Sequence, residues 1–372
     1  MKLETIAVHA GGEVDQQTGA VAPPIHLATT FEHGPASEHI HGYLYIRETN
    51  PTQDRLETAL AQLEGGEAAL VFGSGMAAGA AVLQSLDPGS HVIFTNDIYV
   101  GFRTLQKDFI KKWGIEGTAV QMENLDEVRR ALRPNTKLIW GESPSNPLMK
   151  LSDLRALADI AHNARAAFLV DNTFATPMLQ RPLDLGADIS LHSTTKYCGG
   201  HSDVQGGCLM IKKRDPWYQP LYHARETLGA VAAPFGSWLV LRGLRTLPCR
   251  MEKHCANALA VASALTRMKK VETVFYPGLP NHPGHDIAKR QMRGFGGMLS
   301  ILVRGGFDDA VRVASKMKLF INATSLGGTE SLVEHRASAE GKNTTSPPNL
   351  LRFSIGLEHP DDLIADLDQA LA

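Results

Sequence analysis

Short apolar runs alternate with helical patterns between residues 68 and 172, and this alternation constrains the fold more than any other feature of the sequence. Strands separated by helices of this length predict a parallel sheet whose crossovers cover both of its faces. Ligands of such sheets bind at the carboxyl ends of the strands, so we expect chemistry in the residues that follow each apolar run. The runs are AALVF (68–72), HVIFTN (91–96), KLIWGE (137–142) and AAFLVDN (166–172).

The sequence predicts a division of the chain into three parts. Residues 1–50 are dense in Gly, Pro and His without a sustained pattern, so we expect an arm that lies across the main body or a neighbouring subunit. Residues 51–245 form the predicted large domain, which also includes the strand-like runs at 188–196 and 206–213. Residues 246–372 begin with a long helical pattern and continue with strand and helix patterns, which predicts a smaller α+β domain.

Composition excludes several classes of protein. Thirty-seven Lys and Arg residues against thirty-nine Asp and Glu residues give a net charge of -2, which provides no cationic field for nucleic acid or anionic lipid. The cysteines, Cys198, Cys208, Cys249 and Cys255, form no C-x-x-C pair or zinc-site spacing, so we expect reduced thiols and no metal. Because no apolar run has the length of a signal peptide or a membrane span, we expect a cytoplasmic protein.

A glycine-containing turn follows the first apolar run. Gly73, Ser74 and Gly75 stand between that run and a predicted helix, which directs free backbone N–H groups and the positive end of a helix dipole at one point. This arrangement favours a bound phosphate. The spacing Gly73-x-Gly75-x-x-Ala78, with Asp97 after the next run, also satisfies a dinucleotide fingerprint, so a dinucleotide-dependent oxidoreductase is one alternative. A tight turn without a ligand is another.

A carboxylate and a lysine are predicted at one rim of the sheet, because Asp171 and Lys196 end neighbouring runs. A partly desolvated lysine has a lowered pKa and a nucleophilic amine, and a carboxylate can keep a pyridinium nitrogen protonated. Ser193 and Thr195, two residues apart on the predicted strand, would direct both hydroxyls toward a phosphate. The set fits pyridoxal phosphate, whereas each residue taken singly is more often a turn residue or a solvated strand end.

Four motifs resemble the Cys/Met-metabolism family of pyridoxal-phosphate enzymes. They are HSTTKYCGGHSDVQGG around Lys196, VDNTFATP around Asp171, ESPSNPL at 142–148 and SLGGTESL at 325–332. The resemblance extends over nearly the whole chain and implies a fold-type I, aspartate aminotransferase-like α/β protein with a mostly parallel sheet. It also implies a homotetramer made of two active dimers. Cystathionine γ-synthases, cystathionine lyases and methionine γ-lyase are members of this family.

The resemblance implies a role for each candidate residue. Lys196 would bind the cofactor in imine linkage and move protons, and Asp171 would pair with the ring nitrogen. Arg352 stands in an otherwise apolar run, where a guanidinium needs a bidentate anion, and in relatives that anion is the substrate α-carboxylate. Gly75, Met76, Ser193 and Thr195 would bind the cofactor phosphate, and Arg47 and the catalytic Tyr45 would contact the phosphate of the neighbouring subunit. Tyr99 would stack on the cofactor ring and take part in proton transfer. Asn146 would contact cofactor and substrate, and Ser325 would orient the lysine.

The chain departs from its relatives where the γ-substituent of a substrate would bind. Tyr99 is followed by Val-Gly-Phe (100–102) instead of a glycine pair or Gly-Cys and a threonine, and Thr324 stands where many cystathionine-handling members have a glutamate. The usual Met-Thr-His segment is replaced by a sequence that contains Glu334 and Arg336. These two residues are either substrate contacts or part of a surface loop.

The expected activity is γ-elimination or γ-replacement on an L-amino acid with a leaving group at its γ-carbon, in sulfur amino-acid metabolism. β-Elimination is the second expectation, because Ser325-Leu326 differs from the Ser-Trp pair typical of bacterial cystathionine β-lyases. A γ-lyase for a non-sulfur substrate such as canavanine, the oxidoreductase and a ligand-binding protein with an inactive site are further alternatives. The expected partners are an amino-acid substrate and other copies of the chain, without nucleic acid or membrane.

Overall fold

The computed structural model describes residues 1–372, except for the side chain of Asn343, and contains two sheets with helices packed around them. The strands are β1 Ala68–Phe72, β2 His91–Thr95, β3 Glu116–Val120, β4 Thr136–Glu142, β5 Ala167–Asp171, β6 Ile189–His192, β7 Gly207–Ile211, β8 Val271–Phe275, β9 Met298–Val303, β10 Ile321–Asn322, β11 Leu332–His335 and β12 Leu350–Ser354. The α-helices are α1 Leu3–His9, α2 Pro51–Glu64, α3 Gly75–Gln84, α4 Val100–Asp108, α5 Leu125–Ala131, α6 Leu154–Asn163, α7 Thr176–Leu179, α8 Arg214–Leu228, α9 Pro234–Leu244, α10 Leu247–Leu265, α11 His285–Gln291, α12 Phe307–Lys316, α13 Arg336–Glu340 and α14 Pro360–Ala370.

The larger sheet has seven strands in the order β1-β7-β6-β5-β4-β2-β3. All neighbouring strands are parallel except β7, which runs antiparallel to both β1 and β6. Alternate residues enter two different apolar clusters, Val71 and Val170 on one face and Leu70 and Leu169 on the other. Because both faces are covered, the strands are continuous apolar runs in the sequence, and the predicted mostly parallel α/β sheet is confirmed.

The smaller sheet has five strands in the order β10-β11-β12-β9-β8, antiparallel except for the β10–β11 pair. Val333, Leu351 and Phe353 pack on one face with residues of α10, α12 and α14. The alternating residues Glu334 and Arg352 therefore lie on the opposite face. They are direct cross-strand partners in the β11–β12 pair, so their side chains are neighbours.

The N-terminal segment is not extended throughout. Helix α1 buries Leu3 and Ala7 in the core of the larger sheet, whereas most residues between 13 and 49 are at least partly exposed. The exposed part contacts the body at a few points, for example where Trp238 Nε1 donates to the carbonyl of Pro23 at 2.9 Å. The division into an arm and two domains at residues 50 and 245 stays a prediction.

Two features of the large sheet differ from the sequence prediction. Strand β3 was not predicted, because it is a largely exposed edge strand with the sequence EGTAV and no apolar run. Strand β6 ends at His192, so the predicted continuation to Lys196 is wrong. A turn begins there instead, in which the Lys196 N–H donates to the Ser193 carbonyl at 3.1 Å and the Gly200 N–H donates to the Lys196 carbonyl at 2.8 Å.

Candidate active site

A cavity of about 330 Å³ lies at the carboxyl ends of the parallel strands and extends to the smaller sheet. Its position is the one expected for a ligand of an open α/β sheet. Nine of the predicted site residues line it, namely Gly75, Met76, Tyr99, Asn146, Asp171, Ser193, Thr195, Lys196 and Ser325, together with Arg352 from the smaller sheet. The structure therefore brings together predicted site residues that are far apart in the chain.

The glycine turn closes one end of the cavity. Ser74 is the N-cap of α3 and its Oγ accepts the Ala77 N–H at 3.0 Å, so the first N–H groups of the helix at Gly75 and Met76 are left for a ligand. A Cβ added at Gly75 would lie 3.0 Å from the Ser193 Cβ, so only glycine allows this close approach. The turn can hold an anion, as the sequence predicts.

The two predicted hydroxyls do not extend from one strand. Ser193 and Thr195 both follow β6, and the prediction that they share a strand is wrong. The Thr195 hydroxyl accepts the Gly206 N–H at 3.0 Å and donates to the Gly206 carbonyl at 3.1 Å. The single hydroxyl hydrogen of Thr195 is thus committed to the backbone, so Ser193, whose side chain lies against the glycine turn, is better placed to donate to a phosphate.

Asp171 is the last residue of β5 and is buried. It accepts the Thr173 hydroxyl at 2.6 Å and the Thr173 N–H at 3.0 Å. Burial raises the pKa of the Asp171 carboxyl, and the two bonds from Thr173 act in the opposite direction. A cationic ring nitrogen beside it would stabilise the carboxylate that burial disfavours.

Glu142 is a second buried carboxyl beside Asp171, which sequence reasoning missed. The two residues are register partners at the ends of β4 and β5. Burial and the adjacent Asp171 raise the pKa of Glu142 well above its usual value, which shifts its side chain toward the neutral acid. Its Oε2 accepts the Tyr99 N–H at 2.9 Å. The position of Glu142 at a strand end next to Asp171 was the signal that could have identified it.

The Lys196 amine points into the cavity, where its Nζ donates to the Ser325 hydroxyl at 2.7 Å. Burial, and then the positive charge of Arg352, lower its pKa to about 8. Ser325 has a φ of 107°, a backbone conformation that is uncommon for any residue with a side chain. The lysine is therefore a nucleophilic amine held in place by a conformationally constrained serine.

Tyr99 lines the cavity beside the glycine turn. Its ring is 38% exposed and makes an edge contact with Phe102, with 6.1 Å between the ring centroids. An aromatic ring that is open on one side can stack on a planar ligand.

Tyr45 and Arg47 lie outside the cavity in the single chain. The Arg47 Cζ is 5.5 Å from the centroid of the Tyr45 ring, and Arg47 Nη1 donates to the Glu226 carbonyl at 3.1 Å. Tyr45 is 42% exposed. The contacts with a neighbouring subunit that the sequence resemblance implies for this pair stay a prediction.

Arg352 is buried and has an internal carboxylate partner. Its Nη2 lies 2.7 Å from Glu334 Oε2 and 3.2 Å from the Ser325 carbonyl oxygen, and its Nη1 donates to Asn146 Oδ1 at 3.0 Å. Three of its five N–H groups are thus used, and the two that remain, Nε–H and one Nη1–H, lie on different edges of the guanidinium. A substrate carboxylate can therefore accept from one of them, or from two adjacent N–H groups by replacing a present partner. Burial lowers the pKa of Arg352 to about 10, and Glu334 opposes this shift.

Glu334 and Arg336 are both buried, so the surface-loop alternative is wrong. Burial alone would raise the pKa of Glu334, but the guanidiniums of Arg352 and Arg336 outweigh it and hold the pKa below its usual value. Arg336 itself lines the cavity. These residues belong to the wall that faces Asp171 and Lys196.

The residues present fit pyridoxal phosphate. The glycine turn with Ser193 would hold the phosphate, Asp171 would hold the ring nitrogen and Lys196 would bind the aldehyde carbon. Asp97, which a dinucleotide ribose would need, is buried and accepts a hydrogen bond from the Ser145 hydroxyl at 2.5 Å. The donor set therefore favours pyridoxal phosphate over a dinucleotide.

Comparison with known proteins gives the same result. The model of the family described as Cys/Met metabolism PLP-dependent enzyme matches residues 4–372. The chain is 46% identical over 374 residues to the cystathionine gamma-synthase of Mycobacterium tuberculosis H37Rv, covering 99% of this chain and 96% of the relative. It is 42% identical over 381 residues to the cystathionine gamma-lyase of Bacillus subtilis, covering 100% and 99% of the two chains.

Two further matches are a relative with a different name and a solved structure. The cystathionine beta-lyase of Coxiella burnetii is 43% identical, with 99% of this chain and 97% of the relative covered. The crystal structure of metB from Corynebacterium glutamicum matches with a TM-score of 0.97 at 42% identity, covering 100% of this chain and 98% of that one.

The chain belongs to the Cys/Met-metabolism family of PLP-dependent enzymes, and pyridoxal phosphate is its cofactor. The predictions of family, fold, cofactor and enzyme class are confirmed. The predicted lyase or synthase chemistry at a γ-carbon agrees with these relatives, and the oxidoreductase alternative is removed. Across the described residues, no helix is long and apolar enough to cross a membrane.

Proposed function

We propose that this protein catalyses γ-replacement on an L-amino acid with a leaving group at its γ-carbon, and γ-elimination when no thiol is present. The observation that carries the proposal is the convergence of Lys196, Asp171 and Arg352 on one cavity. These three side chains are suited to the reacting carbon, the cofactor ring and the substrate carboxylate, respectively. Relatives named cystathionine gamma-synthase and cystathionine gamma-lyase support the choice of the γ-carbon.

Pyridoxal phosphate, when bound, supplies an electron-withdrawing ring that stabilises negative charge on the substrate carbon next to the nitrogen. The chain's own residues position and move protons. Lys196, with a pKa of about 8, can accept and return a proton near neutral pH, and Ser325 fixes the direction of its amine. Arg352, fixed in turn by Asn146, orients the substrate through its α-carboxylate.

The proposal is tested with purified holoenzyme and O-acetyl-L-homoserine, with and without L-cysteine. We expect cystathionine when cysteine is present, and 2-oxobutanoate with ammonia when it is absent. Conversion of cystathionine to pyruvate as the dominant reaction would favour β-elimination and contradict the proposal.

We also propose that Tyr45 and Arg47 complete the phosphate site of a neighbouring subunit in a homotetramer. Their exposure in the single chain and their distance from the chain's own cavity support this assignment. Chains carrying Arg47→Ala and Lys196→Ala, refolded together, should then regain activity that neither has alone. No recovery in verified hybrids would contradict a shared site.

Two further expectations remain proposals. The division at residue 245 is supported by the separate sheets formed before and after it, and the division at residue 50 by the start of both sheets beyond that residue, from β1 onward. A cytoplasmic location is supported by the four cysteines, all of which are free.

A further inference from the structure

Five charged side chains form an ion-pair chain beside the cavity. Arg352 Nη2 lies 2.7 Å from Glu334 Oε2, and the same oxygen contacts Arg336. Arg336 Nη2 lies 2.8 Å from Glu340 Oε1, and Arg103 Nη2 lies 2.8 Å from Glu340 Oε2. Positive and negative groups thus alternate from Arg352 to Arg103. We call this set the alternating chain.

The alternating chain is shielded from water. Side-chain exposure is 4% for Arg352 and 7% for Glu334, 4% for Arg336 and 1% for Glu340, and 15% for Arg103. Charges in such surroundings are weakly screened, and an uncompensated one is costly. The sum of charges in the alternating chain therefore affects which ligand can bind next to it.

The net charge of the alternating chain is +1. Three guanidiniums stand against two carboxylates, and each carboxylate is shared between two guanidiniums. Lys196 and Asp171 are not part of this sum because their charges face the cofactor position. A substrate α-carboxylate at Arg352 supplies the third negative charge and makes the alternating chain neutral.

Among the described residues, every guanidinium of the alternating chain is already ion-paired, so a second negative charge would meet no unpaired cation there, although the Nε–H of Arg336 has no hydrogen-bond partner. Arg336 lines the cavity with Arg352, but it is already paired with Glu334 on one side and Glu340 on the other. An anionic γ-substituent beside Arg336 would approach those two carboxylates and would leave the wall with a net negative charge. A neutral γ-substituent has no such cost.

We propose that the alternating chain restricts the substrate to amino acids whose γ-substituent carries no net negative charge, with Arg336 and Glu340 as specificity-determining residues. Acetyl esters and thioethers fall within this class, whereas succinyl and phosphate esters fall outside it. This inference rests on the proposed function, because that function places the γ-substituent in this cavity.

The test uses binding instead of turnover. L-norleucine and L-2-aminoadipate have side chains of similar length, but only the second ends in a carboxylate, and neither has a γ-leaving group. Titration of the holoenzyme, followed by calorimetry and by the visible absorption of the cofactor, gives both dissociation constants. We expect norleucine to bind at least about tenfold more tightly than aminoadipate, since one uncompensated buried charge costs more than one tenfold step.

The variant Glu340→Gln removes one negative charge from the alternating chain, so we expect it to narrow the difference between the two ligands by about tenfold. The matched control is Glu116→Gln, which neutralises an exposed partner of Arg133 and should leave the difference unchanged. Tighter or equal binding of aminoadipate by the unmodified enzyme, or no binding of either ligand, would overturn the inference. So would an unchanged difference in a folded Glu340→Gln protein. Failure of the proposed γ-replacement would be seen separately, in the assay with O-acetyl-L-homoserine.

Discussion

The two walls of the cavity hold their charges in different ways. The cofactor wall, made of Glu142, Asp171 and Lys196, comes from the ends of the seven-stranded sheet and contains no ion pair among these three residues. The substrate wall, made of Glu334, Arg336 and Arg352, comes from β11, β12 and the first residue of α13, and is joined by ion pairs throughout.

This difference shows in the direction of the pKa shifts. Burial raises the pKa of Asp171 and of Glu142 and lowers that of Lys196, so all three residues of the cofactor wall are shifted toward their neutral forms. In the substrate wall, the pKa of Glu334 is held down by its two arginine partners after burial is overcome. The cofactor wall thus depends on its ligand for compensating charge, whereas the substrate wall largely compensates itself before a ligand arrives.

The largest effect is expected for Lys196→Ala in the cofactor wall. The change removes the amine proposed to bind the cofactor and move protons, so activity should fall by a factor on the order of 10²–10⁴ or more while the protein still folds. The release of keto acid measures the rate, and borohydride reduction followed by mass analysis measures cofactor attachment. The control is Lys150→Ala, which removes a partly exposed partner of Glu123 and should retain both the activity and the cofactor attachment. Retained cofactor attachment in the Lys196→Ala protein would refute the assignment.

Glu334→Gln is the corresponding test of the substrate wall. Removing the carboxylate leaves Arg352 without an anion, and breaking such a buried pair costs about 3–5 kcal/mol of unfolding free energy. Urea unfolding of the holoenzyme measures the loss. The exposed control Glu116→Gln should change the free energy by about 1 kcal/mol or less. Equal stability of the two variants would mean that the substrate wall is not held together by this pair.

The lowered pKa of Lys196 predicts how the apoprotein captures pyridoxal phosphate. The amine reacts only when it is unprotonated, so the capture rate should rise about tenfold per pH unit below the pKa and level off above it. The rate should stop rising at about pH 8, the pKa of Lys196. The unfolding free energy of the apoprotein should also rise with pH between about 8 and 10.5, because over that window the unfolded lysine retains a proton that the folded one has lost.

The appearance of cofactor absorption after rapid mixing measures the capture rate. Nα-Acetyl-lysine provides the unperturbed reference. If the capture rate levels off only at the pH observed for Nα-acetyl-lysine, the cofactor wall does not lower the pKa of Lys196.

The smallest effect is expected for Glu142→Gln. The same type of substitution that is costly in the substrate wall should change stability by about 1 kcal/mol or less here, because burial and Asp171 raise the pKa of Glu142 and favour the neutral form that glutamine resembles. The glutamine oxygen can still accept the Tyr99 N–H. Thermal unfolding of this variant beside Glu334→Gln gives the direct comparison. A loss as large as that of Glu334→Gln would show that Glu142 is ionised and that the two walls are more alike than the structure indicates.

Much of the cofactor wall could be predicted from the sequence. Lys196 and Asp171 follow recognisable apolar runs, and the glycine turn lies between a strand and a helix. Each of these signals is local, because it depends on a few consecutive residues. The prediction that Ser193 and Thr195 share a strand was wrong, because a turn follows β6 at this point. The Thr195 hydroxyl is hydrogen-bonded to the backbone of Gly206 instead.

The substrate wall could not be predicted in the same way. Strand β11 has four residues and was not predicted, so the pairing of Glu334 with Arg352 across the β11–β12 register was out of reach. The contact of Arg103 with Glu340 joins α4, after the second strand, to α13, near the end of the chain. The ion-pair partner of a charged residue cannot be predicted from the sequence when it lies on an element that is distant in the chain.

The sequence alone determined the parallel sheet, the rim of that sheet at which the cavity lies and the lysine proposed to bind the cofactor there, because periodic burial and turn chemistry are set by neighbouring residues. Only the tertiary structure decided that the pKa of Glu142 is raised and that Glu334 and Arg336 are buried members of the site. The physical reason is that the charge state of a buried group depends on its solvation and on partners from distant segments, and packing alone brings these together.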